Sequence, residues 1–162
     1  MYLHVSNKDS LQYFPQNEAA IFRVKLKNTL NLNGVWKIGI CSIDIYNMDV
    51  KSNKAAGVVG VYITCSACTG LIVDGEQTRV LRCIKLERNV HVTYSDVFYV
   101  PLDVCFLDTI EFSVVRDTST LVLFGKPSSG SSEDGKSSDD SDGTDNDDHI
   151  GSVSMTLHLK RL

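Results

Sequence analysis

A chain of 162 residues with 43% apolar side chains is long enough for one domain with a real core and too apolar for a disordered polymer. Its formal charge is −4, yet residues 127–149 hold eight carboxylates against Lys136, a net of −7, which leaves +3 on the rest of the chain. A body so close to neutral lacks the strongly basic footprint of a dedicated nucleic-acid binder, and the charge-free stretch from Gly57 to Val73 is shorter than the ~20 apolar residues that cross a bilayer.

Tyr2 to Val5 is a short leading strand, and Ser6 to Glu18 is a loop rich in Asn, Asp, Ser and Pro15. Phe22, Val24 and Leu26 alternate with Arg23, Lys25 and Lys27, a strand with one basic face. Asn31 to Gly34 is a turn, because Asn and Gly tolerate positive φ. Val35 to Tyr46 is a long strand with Trp36, Ile38 and Ile40 on one face and Cys41, Ile43 and Ile45 on the other. Apolar residues on both faces predict a strand covered, at least in part, on both sides. Asn47 to Gly57 is a polar loop. Val58 to Cys65 is a strand, Asp74-Gly75 a turn and Arg79 to Leu86 another strand. His91 to Leu102 is one strand or two short ones.

The clearest alternation comes late. Ile110, Phe112 and Val114 alternate with Thr109, Glu111 and Ser113; Val153, Met155, Leu157 and Leu159 alternate with Ser154, Thr156, His158 and Lys160. Each is a half-buried strand. Between them lie a short apolar stretch, Thr120 to Phe124, and the Asp/Ser/Gly-rich segment 127–149. That segment has nothing apolar to offset the entropy of ordering it, so a flexible acidic loop insertion before the last strand is expected. About eight or nine strands with no convincing helix predict one all-β domain over 1–162, a sandwich or barrel.

No reaction chemistry accompanies this pattern. The five cysteines, with no secretory signal at the start of the chain, read as free thiols in a reducing compartment. Cys65-x-x-Cys68 is half of a zinc motif, with Cys83 and His91 only as stray candidates, and is read as structural. The acidic tract, aligned on Gly143, puts Ser138 and His149 where a calcium loop needs its first and last carboxylates. His4, His91, His149 and His158 make no His-x-His pair, and no nucleophile elbow or phosphate loop occurs. An enzyme, a cofactor and a metal site are therefore not expected, and nucleic acid is not expected as a partner.

Several words in order then resemble a known family. They are Tyr13-Phe14-Pro15-x-Asn17, Leu30-x-Leu32-x-Gly34-x-Trp36-x-Ile38-Gly39-Ile40, Tyr99-Val100-Pro101-Leu102, Asp108-Thr109-Ile110-Glu111 running to Arg116-Asp117, and Thr156-Leu157-His158-Leu159-Lys160-Arg161. Together they resemble the penton, or minor capsid, proteins of Polinton/Maverick elements and adintovirus-like DNA viruses. Glu18 stands where that family usually has Thr, Lys37 where it has Glu, and the acidic stretch replaces a short turn. The resemblance implies a single jelly roll that forms a homopentamer at icosahedral five-fold vertices of the virion, beside a double-jelly-roll major capsid protein and in reach of a vertex fibre or host receptor. It implies structural roles for Tyr13, Phe14, Pro15, Asn17, Gly34, Trp36, Gly39, Tyr99, Pro101, Asp108, Arg116 and His158. A receptor- or glycan-binding jelly roll is the alternative, and a jelly-roll enzyme of the cupin sort is disfavoured by the missing ligands. Five copies would gather about 35 negative charges from the acidic segments around one axis, tolerable only in water or with cations.

Overall fold

The structure is a computed structural model that describes residues 1–55, 57, 60–73, 75–116, 120–124 and 151–162. The acidic segment 127–149 lies outside the described residues. Eleven strands and one short helix are formed among those described: β1 (Tyr2–Ser6), β2 (Ile21–Asn31), β3 (Trp36–Tyr46), α1 (Val50–Ala55), β4 (Gly60–Cys65), β5 (Leu71–Val73), β6 (Glu76–Thr78), β7 (Val80–Lys85), β8 (Val90–Thr93), β9 (Val100–Pro101), β10 (Phe106–Val115) and β11 (Ser152–Arg161).

Two large antiparallel sheets and the two-stranded β5-β6 hairpin result among the described residues. One runs β1-β11-β3-β8, with β9 also on β3; the other runs β2-β10-β4-β7. The pairing is nested. Setting aside the β5–β6 hairpin and β9, the first strand pairs with the last, the second with the second-last, the third with the sixth and the fourth with the fifth. A long hairpin rolled up on itself gives this order, and it is the order of a single jelly roll. The core between the sheets holds the apolar half of each alternating strand: Ile110, Phe112 and Val114 of β10, and Val153, Met155, Leu157 and Leu159 of β11.

The face assignment of β3 is corrected. Ile38, Ile40, Ile43 and Ile45 are all buried in the core, although Ile40 and Ile43 are three positions apart, an odd step in a strand of period two. The ladder to β11 explains this: Leu157 faces Ile40 and Thr156 faces Ser42, so Cys41 is bypassed. This one-residue bulge reverses the phase of the strand, and both apolar sets turn inward. On the outer side, Val97 to Tyr99 crosses the strand at Gly39.

The expected loop at 47–57 is also corrected, because it contains α1. Asn53 organises it. Its Nδ2 donates to Asp49 O (2.6 Å) and Leu123 O (3.1 Å), and its Oδ1 accepts from the Leu123 N–H (3.3 Å). A fully buried asparagine thus pairs with one main-chain residue as a neighbouring strand would.

The connections sort to the two ends of the sandwich. At one end Asn7 meets Gly151 and Val153, and Met48 meets Arg88 and Phe124. At the other, the Leu32 N–H donates to Cys105 O, Asp103 to Ala67 O and Leu102 to Trp36 O. Phe124 and Gly151 pack together at the first end.

Candidate functional site

Ten of the twelve residues singled out by the resemblance fall into three groups. The first guards the free edge of β2. An edge strand exposes unpaired main-chain groups that invite association. Here Asn17 accepts from the Arg23 N–H (2.9 Å) and donates to Arg23 O (2.8 Å), while Ser10 Oγ accepts from the Lys25 N–H (2.9 Å). The loop that carries them is tightened by the Tyr13 and Phe14 N–H groups, both donating to Ser10 O, with Ser10 at a φ of 60°. Tyr13, Phe14, Pro15 and Asn17 then line a cavity of about 420 Å³ against β2 and β10. Its polar wall is the Arg23 Nε to Glu111 Oε2 ion pair (2.6 Å), and Tyr13 is 60% exposed at its mouth. The cavity is apolar and aromatic on one side and doubly charged on the other, which suits an amphipathic ligand or a partner's side chain.

The second group lies on the outer face of β1-β11-β3. A Cβ on Gly39 would meet Val97 Cγ1 at 2.5 Å and Phe98 O at 2.6 Å, so only glycine lets the segment before β9 lie across the sheet. That segment sets the Tyr99 hydroxyl 2.7 Å from His158 Nδ1. Tyr2 stacks on the other side of the imidazole with centroids 4.5 Å apart. Burial between the two rings, then the positive charges of the amino terminus and Lys160, hold His158 below the ordinary histidine pKa. In the neutral tautomer protonated at Nε2, His158 Nδ1 accepts a hydrogen bond from the Tyr99 hydroxyl.

The third group sits where the two sheets meet near the carboxyl terminus. Gly34 has φ +96°, and its α-carbon faces the Arg161 guanidinium. Trp36 donates from Nε1 to Asn33 O (3.2 Å), and Pro101 pairs with Lys37 across β9 and β3. Asp108 and Arg116 stand apart from all three groups. Asp108 bonds Lys25 Nζ (2.7 Å), which holds its carboxyl below the usual range, and the Arg116 N–H donates to Thr120 O (2.9 Å). The basic face of β2 is therefore largely neutralised, since Arg23 and Lys25 both meet carboxylates of β10.

Sequence reading missed Asn7, Ser10 and Asn53. Each acts by side-chain bonds to main chain far away, and no periodicity marks them. His4, His91 and His158 all lie on the outer side of one sheet, bonded to Thr156, Asp44 and Tyr99 respectively. Among the described residues no three His, Cys, Asp or Glu side chains are grouped to hold a metal ion, and no helix is long and apolar enough to cross a membrane. No protein-family model matches the chain, and neither a curated protein nor a solved structure matches it significantly.

Proposed function

We propose that this protein is a virion building block: a minor capsid, or penton, protein that forms homopentamers at icosahedral five-fold vertices and seats against a major capsid protein. The observation that supports this reading is the coincidence of a nested jelly roll with penton-like words at positions where the backbone demands those residues. Gly39 admits the segment that crosses the sheet, Gly34 supplies a positive φ, and Asn17 closes the edge of β2. These are the needs of a rigid shell unit whose edges must pair only with chosen neighbours. A five-fold ring joins subunits head to tail, so each copy offers two different surfaces of the sandwich. The end where Phe124 meets Gly151 would face outward, toward water, counter-ions and any fibre or receptor. Native mass spectrometry of the purified chain tests the reading. A mass of about five chains is expected; a monomer or trimer at assembly concentrations contradicts it.

The cavity beside Tyr13 favours one second reading, a jelly roll that binds a receptor or glycan. An exposed aromatic ring next to a paired Arg23 and Glu111 offers a stacking face and hydrogen-bonding groups together. Binding on a glycan array that Tyr13→Ala abolishes, in a chain that stays monomeric, would favour that reading over the first.

A further inference from the structure

Cys65 ends β4, and Cys68 follows after Ser66 and Ala67. The Cys68 N–H donates to Cys65 O at 3.2 Å, which closes a β-turn. Such a turn holds its end Cα atoms within about 7 Å, and disulfides span Cα separations of roughly 4.4–6.8 Å. Both cysteines carry free thiols, and both side chains are no more than 1% exposed.

The two sulfurs are chemically unequal. Donation from the Cys68 thiol pulls Cys65 below the ordinary thiol pKa; the Ala67 and Cys68 main-chain N–H groups and the charge of Arg79 help overcome its burial. Arg79 is fixed at the turn, with Nη1 donating to Ser66 O (2.6 Å) and its carbonyl accepting the Cys65 N–H (3.0 Å). Cys68, which shares its proton with Cys65 and is buried, is pushed the other way. One thiol poised as a nucleophile beside one held protonated is the arrangement of a dithiol that closes.

We propose that Cys65 and Cys68 are a redox-convertible pair that a peroxide oxidises to an intramolecular disulfide. The Cys65 thiolate attacks one peroxide oxygen, the O–O bond breaks, and the leaving hydroxide takes a proton to become water. The Cys68 sulfur then attacks the Cys65 sulfenic acid; the S–S bond forms, the S–O bond breaks, and a second water carries off the Cys68 proton. Two thiols and one hydrogen peroxide become one disulfide and two waters. Because both sulfurs are buried, oxidation requires a small oxidant and a local opening of the turn, and bulky oxidants are excluded. The bridge would lock the turn on which the segment around β9 rests, through Asp103 N–H to Ala67 O, Thr69 N–H to Pro101 O and the pairing of Cys68 with Leu102.

The test is peptide mapping of the full chain after hydrogen peroxide, with denaturation and alkylation of remaining thiols. The expected product is a peptide containing Cys65 and Cys68 that is two hydrogens lighter, resists alkylation and is recovered by dithiothreitol. In Cys68→Ser the reaction should stop at a sulfenic acid on Cys65, captured by dimedone. The proposal is overturned if both thiols alkylate after peroxide has oxidised the exposed Cys83 and Cys105, or if Cys65 advances to sulfinic acid without bridging in the wild-type chain. The wild-type map decides the matter even if the variant fails to fold.

Discussion

The outer faces of the two sheets solve the same problem differently. On β2-β10-β4-β7 the outward side carries two ion pairs between β2 and β10, Arg23 with Glu111 and Lys25 with Asp108, and an open cavity lies beside them. On β1-β11-β3-β8 a piece of the chain's own backbone crosses the sheet at Gly39 and sandwiches His158 between Tyr99 and Tyr2. Alternation tells which side chains enter the core, but not what the outward half meets. On one sheet part of it meets counter-charges; on the other, around Gly39 and His158, it meets the chain's own backbone and rings.

The largest effects should come from the phase reversal in the covered sheet. Ile40→Ala and Ile43→Ala should each cost about 2–5 kcal/mol in urea unfolding, because both empty the core. Cys41→Ser, at the bypassed position, should stay within about 0.5 kcal/mol. A strand without the bulge would put Ile40 and Ile43 on opposite faces and make one of the two alanine variants mild.

Next comes the crossing itself. Gly39→Val should cost about 1–3 kcal/mol or more, since a main-chain carbonyl stands where the new Cβ would go. Gly60→Ala, on the charged sheet, should cost clearly less in the same assay, because its Cβ would lie 3.2 Å from Ile84 O. Equal costs would erase the distinction between the two faces.

Asn7→Ala should lose about 1–3 kcal/mol, since it strands the buried Val153 N–H that Asn7 Oδ1 accepts at 2.9 Å. Breaking an ion pair on the open sheet should matter less: Arg23→Gln is expected to cost about 0.2–1 kcal/mol, and less in high salt.

The smallest effect should be a pH dependence confined to the covered face. His158 binds its proton less readily folded than unfolded, so its contribution to stability is present above about pH 6.5 and is lost as pH falls through the folded value. Tyr99→Ala should move the His158 titration, followed by NMR, upward toward the ordinary range.

The fold was legible because β10 and β11 state their faces plainly: every apolar position of their alternation is buried. The bulge at Cys41 was not, because a single extra residue leaves composition unchanged and is defined only by a partner strand more than a hundred residues away. The helix α1 was hidden for a related reason. Six residues are too few for a periodic signal, and the bonds that hold Asn53 reach 70 positions along the chain. Of the candidate residues, Gly34, Gly39 and Asn17 show why their identities matter at the level of backbone geometry. Asp108 and Arg116 fall outside the three groups because spacing along a strand says nothing of which neighbour completes a contact.

The most direct test of the account is the strand register itself, read from main-chain NOEs between Cα protons and amides of the labelled chain. The nested jelly roll predicts cross-strand contacts pairing Tyr2 with His158, Phe112 with both Phe22 and Cys65, and Ile40 with Leu157 beside Ser42 with Thr156, leaving Cys41 unmatched. Contacts joining β1 to β2, or an unbroken register through Cys41, would contradict it.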